Sequence, residues 1–245
     1  MAYRYDPDLE FLSTMSSKEL NDLVYLLTHD KDGSKRLTEH LTINDDYKRY
    51  YPEHSRYWKV IAEEIQLFGG NSFANLFRGG EGVLYREVLC DVCDKLKVEY
   101  NKRVSTKEIE QALMLKVLQV AIEKMSPEEL KNLQNELGSS VKSSISAFTP
   151  QMAYSAFSTV FRAGGFQSYV LIRAVVNVIS KQLTGRGLSL AANAAIGRYF
   201  AAFTGPIGWA VTGIWTAYDI AGTAYRVTVP AVFQIIYLRS LSENR

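Results

Sequence analysis

The chain has 245 residues, long enough to bury a core, and its 47% apolar and 22% charged content is that of a folded protein, which excludes whole-chain disorder. A formal net charge of +2 is too small for a dedicated nucleic-acid binder. The charge is unevenly spread: residues 1–136 carry 24 acids and 19 Lys or Arg, whereas residues 137–218 carry six bases and neither Asp nor Glu. The amino terminus "MAYRYDPDLEF" has early acids and no apolar run, so it does not read as a secretory signal. Two cysteines do not make a secreted disulfide framework. The expected location is therefore cytoplasmic.

In chain order, "SSKELNDLVYLLTH" places Ser16 as a helix cap with Glu19 three residues on, then Leu20, Leu23, Val24 and Leu27 at helical spacing. "HDKDGS" (29–34) has the opening of a calcium loop but no bidentate acid near Leu41, so a turn on Asp32-Gly33 is expected instead. "KRYYPEHSRYW" (48–58) crowds tyrosines and a tryptophan among bases, which fits a contact surface or half-buried packing. Glu63 and Glu64 are adjacent and point apart on a helix, so they do not form a proton-sharing pair. "FGGNSFANLFRGGEG" (68–82) holds two glycine pairs. Gly69, Gly70, Asn71 and Arg78 form a candidate anion or ligand pocket, set against the simpler reading of tight helix–helix turns. Cys90 and Cys93 share a helix face, but a zinc site needs about four ligands. The three histidines are scattered and no second pair exists, so two core cysteines are expected and no metal or other cofactor.

"STKEIEQALMLKVLQVAIEKM" repeats the capping device at Ser105 and Glu108, and "SPEELKNLQNELG" adds Ser126, Pro127, Glu129 and a terminal Gly138. The Ser- and Gly-rich "GSSVKSSISAFTP" marks a boundary. It divides an acidic, soluble helical domain, 1–138, from a basic, apolar one, 139–245. "FQSYVLIRAVVNVISKQL" is apolar on nearly every side; its β-branched run leaves strand open, while its length favours a buried helix. The fold class is all-α, a multi-helix bundle with an apolar C-terminal helical region.

The tract 199–238 is the one expected to meet a membrane. "YFAAFTGPIGWAVTGIWTAY" (199–218) is uncharged, and as a helix it reaches roughly 30 Å. Gly205-Pro206 breaks it early, however. Tyr199, Phe203, Trp209 and Trp215, with Arg198 and Asp219 outside them, are membrane-contact candidates. The limb Val227–Leu238 is shorter and contains Pro230, which predicts a buried or interfacial helix rather than a second span. Arg226 is a further contact candidate and the expected partner of Asp219 if the tract is instead a core hairpin.

Three stretches, "YDPDLEFLSTMSSKELNDLVYLLTHDKDG", "RYWKVIAEEIQLFGGNSFANLFRGGEGVLYREVLCDVCDKLKV" and "GTAYRVTVPAVFQIIYLR", resemble the YaaW-like family of bacterial proteins. Some members of that family are grouped with a ubiquinol–cytochrome c chaperone domain. The resemblance implies a bacterial, mostly helical protein and supplies no catalytic residue. No triad, paired-carboxylate site or metalloprotease helix is present, so a non-enzyme is expected. The leading expectation is a protein that associates with, or conditionally inserts into, an anionic lipid membrane at the inner face of the cytoplasmic membrane. Apolar helices hidden inside a soluble bundle are the arrangement of pore-forming toxins, and a role in stress response or defence would follow. The alternative is a soluble scaffold or assembly factor that binds a protein partner or a second copy of itself and uses its apolar tract as core.

Overall fold

The computed structural model describes residues 3–36, 39–70, 82–137, 149–189, 213 and 225–245. Among them there is no strand; one isolated bridge joins His29 to Lys35. Nine α-helices account for most of these residues: α1 Ser17–Thr28, α2 Asp45–Tyr50, α3 Trp58–Gly70, α4 Tyr85–Lys95, α5 Thr106–Glu123, α6 Pro127–Leu137, α7 Pro150–Ala163, α8 Gly165–Thr184 and α9 Tyr225–Glu243. Short 3₁₀ turns at Glu10–Thr14 and His54–Tyr57 precede α1 and α3.

The helix starts follow from capping chemistry. The Ser16 hydroxyl accepts the Glu19 N–H, and the Glu19 carboxylate accepts the Ser16 N–H at 2.7 Å. Ser105 and Glu108 do the same at α5, and Ser126 and Glu129 at α6. Each pair satisfies two backbone donors that a helix start otherwise leaves open. Thr149 caps α7, with Pro150 in the first turn. Gly164 and Gly165, at φ 69° and 73°, turn the chain from α7 into α8, and Gly185 at φ 75° ends α8 in the left-handed region.

The centre of the bundle is α9, which packs against α8, α1, α4, α3 and the 10–14 turn. Every residue from Val227 to Leu238 is buried. A helix without a solvated face belongs in a core, and this one is surrounded by protein. Pro230 removes one helical hydrogen bond in its second turn, and the helix continues through it. The limb Val227–Leu238 is thus a core helix. α8 settles the strand question in favour of helix, with Val170, Leu171 and Val175–Ile179 buried. Helices from both sides of residue 138 contribute to one apolar cluster.

No described helix is long and apolar enough to cross a membrane. The 199–218 tract lies outside the described residues apart from Gly213.

Candidate functional site

A seam of buried polar groups ties the two ends of the chain to the bundle. Arg239, near the end of α9, donates from Nε to both Glu110 oxygens at 3.2 and 3.0 Å, and from Nη2 to the Asp8 carbonyl at 2.7 Å. The Tyr85 hydroxyl donates to Glu110 at 2.8 Å. Tyr85 also donates its backbone N–H to Asp6 Oδ2 at 2.7 Å. Gln66 on α3 donates to the Arg4 carbonyl and accepts the Arg4 N–H, at 2.9 and 3.2 Å. Thr106, at the start of α5, donates to Asp8 Oδ2 at 2.7 Å. The Arg239 guanidinium lies 4.7 Å from the centre of the Phe11 ring.

Burial pushes the Glu110 carboxyl up, and the Arg239 charge and the Tyr85 hydroxyl pull it part of the way back. Burial alone would lower Arg239, but the facing Glu110 anion outweighs it and holds the guanidinium charged. Burial drives the Tyr85 phenol well above its ordinary value. Arg239 engages both Glu110 oxygens, and Oε1 also accepts from Tyr85. The arrangement is a clamp.

Beside the clamp, a small cleft of about 50 Å³ opens between α5, the α7–α8 turn and α9. Met114, Phe161, Ile172 and Ile236 wall it, with Glu110 and Arg239 at its polar side. A Lys107–Glu243 ion pair at 2.7 Å stands on its rim.

The structure places the sequence candidates as follows. Gly69 lies in the last turn of α3, where an added Cβ would meet Val88 Cγ2 at 2.3 Å and Val83 Cγ2 at 2.8 Å. Close approach of α3 and α4 accounts for that glycine. Gly70 ends α3; Asn71 and Arg78 lie outside the described residues. Of the membrane-contact candidates, Arg198, Tyr199, Phe203, Trp209, Trp215 and Asp219 also lie outside them. Arg226 is described, exposed in the first turn of α9. Cys93 is buried, and burial raises its thiol to about 12, leaving no thiolate at neutral pH. Among the described residues no cluster of His, Cys, Asp or Glu can hold a metal.

The 29–34 stretch forms the turn expected of it: Gly33 sits at φ 84° and the Asp32 carboxylate accepts the Ser34 N–H. In 48–58, His54 and Tyr57 are buried and hydrogen-bonded to each other, and burial lowers the His54 imidazole. Tyr51 and Arg56 face outward. Glu110, Arg239, Tyr85 and Asp6 were not singled out in the sequence. A signal existed in two of them: Glu110 interrupts the apolar face of α5, and Arg239 directly ends the run 227–238.

The described residues form a helical bundle with α9 at its centre and a buried polar clamp that ties α9 to α5 and to the 4–8 segment. Residues 53–233 match the family model described as Ubiquinol-cytochrome C chaperone, and residues 3–37 match a domain of unknown function, DUF3944. The chain belongs to the UPF0174 family of bacterial proteins. It is 49% identical over 239 residues to a UPF0174 protein of Helicobacter pylori J99, covering 98% of this chain and 93% of that one. A UPF0174 protein of Helicobacter pylori 26695 is 43% identical over 83% of this chain and 97% of its own. The UPF0174 protein YaaW of Escherichia coli K12 is 35% identical over 98% of this chain and 96% of its own. No solved structure matches the chain.

Proposed function

We propose that the protein is a non-enzymatic assembly factor that holds another protein through the surface built from residues 43–59. The observation that carries this reading is α9: its apolar residues form the centre of the bundle, so the carboxyl-terminal hydrophobicity described here is core. The match of residues 53–233 to the chaperone family model supports the same reading.

The surface has the chemistry of a protein contact. Ile43 and Tyr51 are 62% and 59% exposed. Arg56 and Arg49 both pack on the Tyr50 ring, at 4.1 and 5.3 Å, and Lys59 lies over Trp58. Tyr, Trp and Arg are the residues that anchor interfaces. Beneath them the buried Tyr57 and His54 keep the backbone rigid, so little ordering entropy is lost on binding.

Native size-exclusion of extract from source cells tests this. The chain should elute in a complex with a second protein, and Tyr51→Ala with Arg56→Glu should return it to the 27.6 kDa position without lowering its melting temperature. Elution of the wild-type chain at that mass alone defeats the proposal.

A further inference from the structure

One end of the bundle gathers cations from three elements. The hairpin after α1 supplies Lys31, Lys35 and Arg36. The turn after α8 supplies Arg186, and the first turn of α9 supplies Arg226. Contacts tie the hairpin after α1 to the turn after α8. The Lys31 carbonyl would lie 3.0 Å from a Cβ placed on Gly185. The Arg186 guanidinium stacks 4.0 Å over the Tyr25 ring. His29 stacks in parallel on Tyr25 at 4.4 Å, which leaves the opposite ring face for Arg186. Arg36 donates from Nε to the Leu26 carbonyl at the end of α1. Burial lowers the Arg36 guanidinium, and the nearby Arg226 charge pushes the same way.

The described acids beside these cations are already engaged. Asp30 is paired with Arg36 at 2.5 Å, Asp32 accepts Ser34, and Asp22 accepts the Ser189 N–H and hydroxyl. On the α4 side, Asp91 and Asp94 lie near Tyr225, whose ring is covered by Lys95. Lys31, Lys35, Arg186 and Arg226 are exposed and form no ion pair among the described residues. Arg186 is held in place as well: Gly185 fixes the turn and the Thr184 hydroxyl accepts the Arg186 N–H. A guanidinium stacked on an aromatic face keeps its in-plane N–H donors free for oxygens.

We propose that this end of the bundle is a contact for an anionic phospholipid surface, with Lys31, Lys35, Arg186 and Arg226 engaging headgroup phosphates and Arg36 behind them. Two observations favour lipid over an acidic protein. Lys31, Lys35, Arg186 and Arg226 come from three elements and are all exposed, so several headgroup phosphates can be met at once. In sequence, Arg186 and Arg226 also flank the stretch 190–224, whose 35 residues carry six aromatics and one acid, Asp219. Basic residues that flank an apolar, acid-poor sequence are what an acidic membrane surface attracts. This face is distinct from the 43–59 surface, so the two proposals fail separately.

The test is co-sedimentation of the full chain with phosphatidylcholine vesicles, with and without phosphatidylglycerol. Binding should appear only with phosphatidylglycerol and weaken with salt. Arg186→Glu with Arg226→Glu should lower partitioning at least about fivefold per reversed charge. Lys31→Glu with Lys35→Glu, two exposed hairpin positions, should do the same and covers the case in which the first variant melts early. Tyr51→Ala should leave vesicle binding unchanged. Absence of binding, or binding that survives both reversals, overturns the proposal. So does polyglutamate binding as tight as that to vesicles, or complete displacement by dilute inorganic phosphate, which would indicate an acidic protein or the free ion.

Discussion

Glu110 and Arg239 join α5 to α9 in a place where neither charge reaches bulk water easily, with the Glu110 side chain 4% and the Arg239 side chain 16% exposed. Removing one partner strands the other. Glu110→Gln is expected to cost about 3–5 kcal/mol in urea unfolding. Arg173 is the opposite case. It is 3% exposed, donates from Nη1 to the Tyr169 hydroxyl at 3.3 Å, and leaves Nε and Nη2 without a hydrogen-bond partner. Arg173→Met fills the same space without unmatched donors and should stabilise the fold by about 1–3 kcal/mol by the same measurement. Glu64 gives a pH signature. Burial first, with nearby Glu39 and Glu63, raises its carboxyl from 4.5 to about 7, against the His40 and Leu41 N–H groups that lower it. Between those values the folded chain keeps a proton that the unfolded chain has released. Stability from this group is therefore full below the lower value, falls as pH rises between the two, and is lost above the upper one. The loss is on the order of 3 kcal/mol, and Glu64→Gln should flatten that slope in unfolding curves taken across the range.

At the scale of elements, Gly69 is the sharpest case. An alanine inside a helix normally gains about 1 kcal/mol over glycine. Here the new methyl would press on Val83 and Val88, so Gly69→Ala should instead destabilise by about 1–3 kcal/mol, read as a lower urea midpoint. The helices themselves were legible where local chemistry decides them. The pairs Ser16 with Glu19, Ser105 with Glu108 and Ser126 with Glu129 mark starts because cap and acceptor lie three residues apart. The clamp was not legible in the same way. Arg239 reaches Glu110 across 129 positions and Asp8 across 231, and no local period encodes such a pairing. The limb 227–238 shows the limit of hydropathy: an apolar run states that water is excluded, and only packing states whether protein or lipid excludes it.

For the whole molecule, α9 is shared by helices from both halves of the chain. A chain truncated before Tyr225 loses the surface on which α1, α3, α4 and α8 meet. That truncation is expected to abolish the cooperative unfolding transition seen by far-UV circular dichroism, rather than merely lower its midpoint. Survival of a sharp transition would show that the first half closes its own core. With α9 in place, the proposed partner surface at 43–59 and the cationic end are carried on one packed frame. Arg56→Glu on the one and Lys31→Glu with Lys35→Glu on the other should therefore leave stability nearly unchanged while altering binding.

The position of α9 in the chain also governs when the protein can fold. Synthesis runs from the amino terminus, and the helix that fills the middle is made after the other eight described helices. Until α9 has been made, the faces of α1, α3, α4 and α8 that pack on it have no partner. The core thus closes only once α9 is available, and a chain made up to residue 224 exposes the apolar surface that holdase chaperones bind.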